Sequence, residues 1–233
     1  PVTHIKEVYH ELLEDYQRLY TDAGSIREQV TPLLFGETGK HLLLFNPSLA
    51  TRAGVITLPA DTPHNNAGQR VDNLDGTQSI LLQLDEPLPG ASQRVMQMEP
   101  RPSAVLDSSL KGTRRSLENR HLRATFNNAG ELTSLWDKTT NREVLVDGLH
   151  GNRFRLYEDR PGRYEAWDIV SSYVEHALPM TGTATLTIDE TGPLRISLRL
   201  VRTFGDSTIT QRIGLAAGAR GWRRRVSENR RRS

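Results

Sequence analysis

Residues 151–169 contain the side chains in this chain that are best suited to bind a polar, ring-shaped ligand. They read GNRFRLYEDRPGRYEAWDI and hold carboxylates, arginines and aromatic rings together. Carboxylates and guanidinium groups hydrogen-bond sugar hydroxyls, and aromatic faces cover the apolar faces of a pyranose. We therefore predict a sugar-binding loop, whose candidate contact residues are Asp159, Arg160, Tyr164, Trp167 and Asp168.

Paired carboxylates in this loop also suggest glycosidase chemistry. A retaining glycosidase needs two carboxyl groups about 5–5.5 Å apart. Asp159 and Asp168 approach each other only if the loop folds back, and Pro161 and Gly162 between them favour a sharp turn. The alternative interpretation is structural: Trp167 anchors a polar loop on the fold and Asp168 caps a turn.

Other common chemistries lack their sequence signals. The 233 residues include no cysteine, which excludes disulfides, thiol nucleophiles and cysteine-ligated zinc. None of the seven histidines stands in H-x-H, H-x-D or H-E-x-x-H spacing. G-x-S-x-G, G-x-G-x-x-G and phosphate-loop patterns are also missing from the sequence. We accordingly expect no catalytic residue and no metal ligand in this chain.

The excess of positive charge lies in the last fourteen residues. They hold seven of the 30 basic residues but only one of the 28 acidic ones, Glu228, and without them 23 basic and 27 acidic residues remain. The net charge of +2 thus becomes −4, so we expect no nucleic-acid partner. Residues 220–233 are interpreted as a basic tail that is non-native or disordered. An electrostatic arm for phosphate backbones is the alternative.

The elements that position the loop are predicted to be mainly strands after a helical start. Apolar residues from Ile5 to Tyr20 recur at helical spacing, and Gly24 is expected to end that helix. A capping-box pattern at Ser25 and Glu28 predicts a second, short helix that falters near Pro32. Residues 59–76 are expected to be loop.

Strand candidates follow at 41–45, 54–58, 78–84, 93–98 and, with clear alternation, 122–126. An antiparallel meander is predicted at 183–188, 194–200 and 208–215, in which Ala184, Leu186 and Ile188 share one face. We divide the chain into 1–38 (end of a helical bundle), 39–110 (small β module), 111–219 (truncated antiparallel β-sandwich) and the tail. The meander ends at Leu215, so we predict self-association through an open sheet edge.

Several motifs occur in the order typical of a known family. Residues 157–161 (YEDRP) and 164–169 (YEAWDI) resemble a signature of the α-mannosidases of glycoside hydrolase family 38. Residues 44–48 (LFNPS), 117–123 (LENRHLR) and 130–138 (GELTSLWDK) are similar to further motifs of that family, closest to its bacterial and cytosolic branch. The ordered resemblance covers roughly residues 40–215.

The resemblance implies a galactose-mutarotase-like supersandwich, here incomplete, that follows a catalytic barrel and a helical bundle in the sequence. It also implies retaining, zinc-dependent hydrolysis of α-mannosidic bonds, with the nucleophile and the zinc ligands in the barrel. The zinc motifs of the family, H-x-D and H-D-x-x-x-G-T, are missing from this sequence.

We therefore expect a non-catalytic middle or C-terminal portion of an α-mannosidase, which contacts a mannose-containing oligosaccharide and the other domains of the enzyme. A free-standing carbohydrate-binding β-sandwich module is the alternative. We expect zinc in the parent enzyme but none in this chain. A cytoplasmic location and no membrane partner are also expected, because no long apolar run and no signal sequence are visible.

Overall fold

The fold of the chain is given by a computed structural model, which describes residues 2–35, 41–62, 68–97, 109–158, 160, 169–180, 184–221 and 223–230. These residues form one α-helix, one 3₁₀ helix and sixteen strands, all paired antiparallel. A mainly β fold after an N-terminal helical segment is thus confirmed.

The helices are α1 (Val2–Phe35) and the 3₁₀ helix η1 (Ser171–Glu175). The strands are β1 (His41–Asn46), β2 (Val55–Pro59), β3 (Gln69–Asp72), β4 (Gln78–Gln83), β5 (Ser92–Gln97), β6 (Lys111–Thr113), β7 (Ser116–Glu118), β8 (Leu122–Phe126), β9 (Leu132–Asp137), β10 (Arg142–Glu143), β11 (Leu156–Tyr157), β12 (Ala177–Leu178), β13 (Thr185–Thr191), β14 (Arg195–Phe204), β15 (Ser207–Ala216) and β16 (Arg223–Arg230).

One unbroken helix replaces the two helices expected at the N-terminus. α1 continues through Gly24 and ends at Phe35, three residues after Pro32. The prediction of a helix end at Gly24 is wrong, because a glycine in a helix interior costs only about 1 kcal/mol relative to alanine. The helical spacing of apolar residues also continues beyond Gly24, at Ile26 and Val30.

Two small antiparallel sheets follow the helix. β1 pairs with β5, and β4 lies between β2 and β3. β4 supplies most of the buried apolar side chains here, with Ile80 and Leu81 fully buried. The expectation of loop throughout 59–76 is wrong at β3, where Gln69 and Val71 face inward. A four-residue strand with a single apolar side chain is too short for its alternation to be recognised.

A β-sandwich forms the second half of the chain. One sheet has the strand order β10-β9-β8-β7-β6 and the other has the order β13-β14-β15-β16. One apolar cluster fills the space between them, formed by Leu117, Leu122, Ala124, Phe126 and Leu132 of the first sheet and Ile196, Leu198, Leu200, Ile213 and Leu215 of the second. The alternation predicted for β8 and β14 therefore directs apolar side chains into a shared core.

A β-bulge changes the facing of β13. Its pairing with β14 shifts between Ile188 and Glu190, because Asp189 is an extra residue. Ile188 lies opposite the fully buried Leu198, so it keeps the predicted inward face although it is 42% exposed. After the bulge, Glu190 lies opposite Ser197 and is buried on the other face of the sheet. The Glu190 carboxylate accepts two hydrogen bonds from Arg195, each 2.6 Å long, which compensates the buried charge.

The basic tail contributes a strand. Arg223–Arg230 forms β16 and pairs with β15 from Ser207↔Arg230 to Gly214↔Arg223. The prediction that the tail is disordered is therefore wrong for residues 223–230. The edge of β15 offers backbone hydrogen bonds with which these residues pair. The edge of β15, which was expected to stay open, is therefore covered by β16. Self-association through another sheet edge and the non-native origin of the tail stay predictions.

The small sheets and the sandwich share a junction. Val71 and Leu81 pack against Leu194, which is fully buried. The Gln69 side-chain oxygen accepts hydrogen bonds from the backbone N–H groups of Leu194 and Arg195, both at 2.8 Å, and its amide donates to the Arg195 carbonyl at 2.8 Å. The domain limits, including the boundary near residue 110, stay predictions.

Over the described ranges, no helix is both long enough and apolar enough to cross a lipid bilayer.

Candidate functional site

The predicted sugar-binding loop is only partly described. Asp159, Tyr164, Trp167 and Asp168 lie outside the described residues. Arg160 is described, and its guanidinium donates a 2.8 Å hydrogen bond to the Glu158 carboxylate. This bond lowers the pKa of Glu158 and raises that of Arg160. Both side chains are exposed to solvent, so the ion pair leaves the Arg160 side chain accessible.

A short antiparallel pair holds the loop at its base. β11 pairs with β12, which places Leu156 opposite Leu178 and Tyr157 opposite Ala177. The backbone N–H of Glu158 donates to the carbonyl of His176 at 2.9 Å and extends this pairing by one step. The two ends of the segment 158–176 are therefore held next to each other. In the sequence, the predicted sugar contacts fall within this segment.

A cavity of about 440 Å³ opens next to this base. Its volume is within the range of small-molecule sites, about 300–1,000 Å³. Its walls come from the turn between β8 and β9, the segment before β11, η1, the β12 region and β14. The lining residues are Ala129, Glu131, Arg153, Phe154, Arg155, Leu156, Tyr157, Val174, Ala177, Leu178, Pro179, Met180 and Arg202.

Aromatic rings give this cavity an apolar wall. The Phe154 ring lies beneath the guanidinium carbon of Arg202, 5.0 Å from it to the ring centroid. The Tyr157 ring meets the edge of Tyr173 at a centroid distance of 5.1 Å and an angle of 77°. These contacts restrict both rings, so their positions do not depend on a ligand.

Arg202 is a buried cation in the cavity wall. Its residue is 9% exposed, and its Nη2 donates to the Ala129 carbonyl. Its Nε has no hydrogen-bond partner among the described residues. Burial lowers the pKa of Arg202, while the nearby Glu131 carboxylate acts in the opposite direction. An arginine stays protonated in proteins, so this wall carries a permanent positive charge.

Glu131 is the carboxylate of the same wall. Its side chain lies 2.9 Å from Nδ1 of His150, accepts a 2.9 Å hydrogen bond from Asn127 and lies 3.7 Å from Nε of Arg153. The hydrogen bond with His150, followed by that with Asn127, lowers the pKa of Glu131. Glu131 is therefore ionised at neutral pH and serves as an acceptor in the cavity wall rather than as a proton donor.

An amide pair fixes the segment that leads into the cavity. Asn152 and Gln211 exchange two side-chain hydrogen bonds, of 3.2 and 3.0 Å, and Asn152 also donates to the Gly130 carbonyl at 2.9 Å. These bonds attach the chain just before Phe154 to β15 and to the β8–β9 turn. The cavity is thus built on the sandwich core.

Arg202, Phe154 and Glu131 were not predicted as site residues from the sequence. One signal could have revealed Arg202: it lies two positions after Leu200 on the strand whose even-numbered residues face the core. A strict period of two places its guanidinium inward. Phe154 and Glu131 carry no such signal, because they lie in irregular segments whose approach depends on the tertiary fold.

The zinc ion that the family resemblance implies has no ligand set in the described part of the chain. No group of three or more histidine, aspartate, glutamate or cysteine side chains there is arranged to hold a metal ion. The described residues therefore do not fit zinc.

Comparison with protein families identifies the sandwich. The sequence model of the glycosyl hydrolases family 38 C-terminal domain matches residues 117–223. Residues 117–223 are a family 38 C-terminal domain. This domain runs from within β7 to the first residue of β16 and contains all thirteen residues that line the cavity. The family resemblance predicted from the sequence is thus confirmed.

Curated relatives extend the likeness beyond this family 38 domain. The chain is 29% identical over 217 residues to Alpha-mannosidase 2C1 of Mus musculus, a match that covers 88% of the chain and 20% of the mouse protein. It is 33% identical over 105 residues to Alpha-mannosidase 2C1 of Homo sapiens, with coverage of 44% and 10%. The chain thus spans about a fifth of the mouse relative and a tenth of the human one.

Solved structures include a similar protein. The crystal structure of an alpha-mannosidase from Enterococcus faecalis V583 aligns with 79% of this chain, at 16% sequence identity and a TM-score of 0.46, and the alignment covers 29% of that structure.

Proposed function

We propose that this chain is a non-catalytic portion of an α-mannosidase that shapes the part of the sugar cleft next to Arg202. The observation that carries the proposal is the cavity at the base of the predicted sugar-binding loop, inside a family 38 C-terminal domain. Both curated relatives are named α-mannosidases, which supports an α-mannosidic bond as the target of the parent enzyme.

The cavity supports a sugar ligand through its chemistry. Phe154 and Tyr157 offer apolar surface to the C–H side of a pyranose ring. Arg202 offers a donor and Glu131 an acceptor to the hydroxyl groups on its edge. Such a mixed lining favours a neutral polyol over a purely apolar ligand, because an apolar ligand would remove water from the charged side chains of the wall without replacing its hydrogen bonds.

The proposal assigns bond cleavage to residues outside this chain. Retaining, zinc-dependent hydrolysis with a nucleophile in a separate barrel rests on the family resemblance. For the isolated chain we expect no bound zinc and no turnover of an aryl α-mannoside. Elemental analysis and a chromogenic assay measure these two properties, and zinc at one equivalent or measurable hydrolysis would contradict the assignment.

We propose contacts with the other domains of the same enzyme and with mannose-containing oligosaccharides. We propose no nucleic-acid partner, because the excess of positive charge is confined to residues 220–233. A cytoplasmic location stays a prediction, consistent with the lack of cysteine.

A titration of the isolated chain with methyl α-D-mannoside, followed by NMR, tests the proposed function. We expect weak, saturable binding in the millimolar range, with shifts at Tyr157 and Leu178. Phe154→Leu should weaken binding, because it removes the ring beneath Arg202. Phe45→Leu is the matched control, since Phe45 is 60% exposed on β1 in the small module.

The same titrations distinguish a mannoside site in the cavity from a site elsewhere and from a general carbohydrate-binding module. Equal binding by both variants, or shifts outside the cavity, would contradict the cavity as the sugar site. Equal binding of methyl α-D-mannoside and methyl α-D-glucoside would indicate a general carbohydrate-binding module instead of a mannosidase part.

A further inference from the structure

The cavity at the base of the predicted sugar-binding loop is lined by more positive than negative charge. Its described lining includes three arginines, Arg153, Arg155 and Arg202, but only one carboxylate, Glu131. The other described lining residues are uncharged at neutral pH, so three positive charges and one negative charge leave +2. A concave site lined by an excess of one sign of charge concentrates ligands of the opposite sign.

The single carboxylate of this lining has partners of its own. Oε2 of Glu131 lies 2.9 Å from Nδ1 of His150 and accepts a 2.9 Å hydrogen bond from Asn127. Oε1 of Glu131 lies 3.7 Å from Nε of Arg153. Glu131 is thus shared among these three neighbours, and it forms no ion pair with either of the other two arginines of the described lining.

Arg202 differs from Arg212, the other buried arginine of the described residues. Arg212 is 7% exposed, its Nε donates to the Asp189 carboxylate, and its Nη1 lies 3.7 Å from the Glu190 carboxylate. Arg202 is 9% exposed, but its described contacts are a backbone carbonyl and an aromatic ring, which are both uncharged. A buried charge without a counter-charge is unfavourable. An anion in the cavity would therefore stabilise Arg202 as Asp189 stabilises Arg212.

Arg155 adds an accessible cation to the same cavity. Exposed Arg153 and Arg155 alternate with half-buried Phe154 and Leu156, so both guanidinium groups belong to the solvent side of this segment. Arg155 forms no ion pair with any described residue. The cavity therefore offers one exposed and one buried guanidinium group, Arg155 and Arg202, that lack a carboxylate partner in the described part of the chain.

We propose that the cavity binds a pyranose that carries an anionic substituent, a carboxylate or a phosphate, and that Arg155 and Arg202 bind this substituent. The inference rests on the proposed sugar cleft and names the class of sugar that it takes. A guanidinium group donates two parallel hydrogen bonds to either kind of oxyanion, and such bonds are about twice as strong as those between neutral groups. A neutral mannoside leaves both arginines without a counter-charge, so it binds less tightly.

NMR titrations with three sugars test this preference. The probes are methyl α-D-mannoside, its 6-phosphate, and methyl α-D-mannuronoside, whose C6 is a carboxylate. At a fixed ionic strength, at least one acidic sugar should bind roughly 10- to 100-fold more tightly than the neutral one. The acidic sugar that binds more tightly identifies phosphate or carboxylate as the substituent that the cavity takes.

Substitutions of the arginines test the residues. Arg155→Gln should weaken binding of the acidic sugar roughly 3- to 10-fold and change the affinity for methyl α-D-mannoside less than about two-fold. Arg202→Gln should weaken binding of the acidic sugar roughly 10- to 100-fold. Arg142→Gln is the matched control, because it removes the same charge from an exposed position of β10 outside the cavity. Since Arg155 is exposed, its variant keeps the test valid even if Arg202→Gln lowers the melting temperature.

Three results would overturn the proposal. They are equal affinity for the three sugars, equal effects of Arg155→Gln and Arg142→Gln, and inorganic phosphate that binds as tightly as the acidic sugars. The first of these would leave the proposed mannoside site intact. Conversely, tight binding of an acidic sugar by a chain that does not bind methyl α-D-mannoside would support the anionic ligand and contradict the proposed function.

Discussion

The helix α1 exposes the kind of side chain that the β-sandwich buries. Leu198 of β14 is fully buried, whereas Leu19 of α1 is 63% exposed. The sandwich closes its own core between two sheets of the same chain, while the apolar side chains of the helix are not covered by the described part of the chain. The fold of the sandwich is therefore internally stabilised, and the stability of the helix depends on what it contacts.

The largest expected effect compares one leucine from each region. Leu198→Ala should lower the free energy of unfolding by about 2–5 kcal/mol, because it removes buried methyl groups and leaves a cavity in the core. Leu19→Ala should change the unfolding of the sandwich by less than about 0.5 kcal/mol. Urea denaturation followed by tryptophan fluorescence in a chain that keeps only Trp136, on β9, measures both. Equal losses would show that helix and sandwich unfold together.

A second comparison is between the predicted sugar-binding loop and the β-sandwich that carries it, in a full-length α-mannosidase that contains this chain. Asp159→Asn or Asp168→Asn should lower kcat/KM roughly 10- to 200-fold, equivalent to about 1.5–3 kcal/mol for a hydrogen bond to a charged group. The melting temperature should hardly change, because the sandwich core is untouched. Normal kinetics with reduced thermal stability would instead assign the loop a structural role.

A third prediction concerns the junction between the small sheets and the sandwich. Gln69→Leu should cost about 1–3 kcal/mol, because the backbone N–H groups of Leu194 and Arg195 would lose their acceptor in a buried place. Gln78→Leu, on the exposed end of β4, is the matched control and should be nearly neutral. Calorimetry that finds similar effects for the two variants would contradict the role of Gln69.

The smallest expected effect is a pH dependence within the cavity wall. The folded protein lowers the pKa of Glu131 below the ordinary value of 4.5. Its contribution to stability is complete above that value and is lost as the pH falls through the lower, folded pKa. Between pH 6 and pH 3, wild type should thus lose more stability than Glu131→Gln in otherwise identical denaturation curves. The same loss of stability in both proteins would show that the pairing of Glu131 with His150 does not contribute to the free energy of unfolding.

The regular parts of the fold could be predicted from the sequence because their burial is periodic. Leu122, Ala124 and Phe126 alternate and lie in the core, and Leu194, Ile196 and Leu198 do the same. β3, α1 and β16 were not predicted correctly. β3 carries too few apolar residues, α1 passes through a glycine whose cost is small, and β16 depends on pairing with the edge of β15.

The candidate site was less predictable. The sugar contacts read from composition stay a prediction, and the cavity beside that segment depends on contacts between distant residues. Arg202 and Ala129 are 73 positions apart, and Asn152 and Gln211 are 59 apart. Only tertiary structure brings such pairs together, and sequence patterns of period two or 3.6 carry no information on them.

The Gln69 bonds also set an order of events during synthesis. Gln69 and Arg195 are 126 positions apart, which at about 5–20 residues per second corresponds to roughly 6–25 s of translation. During this interval Val71 and Leu81 lack the Leu194 side chain that later covers them. The nascent small sheets therefore present an uncovered apolar patch to solvent or to a chaperone until the second half of the chain has left the ribosome.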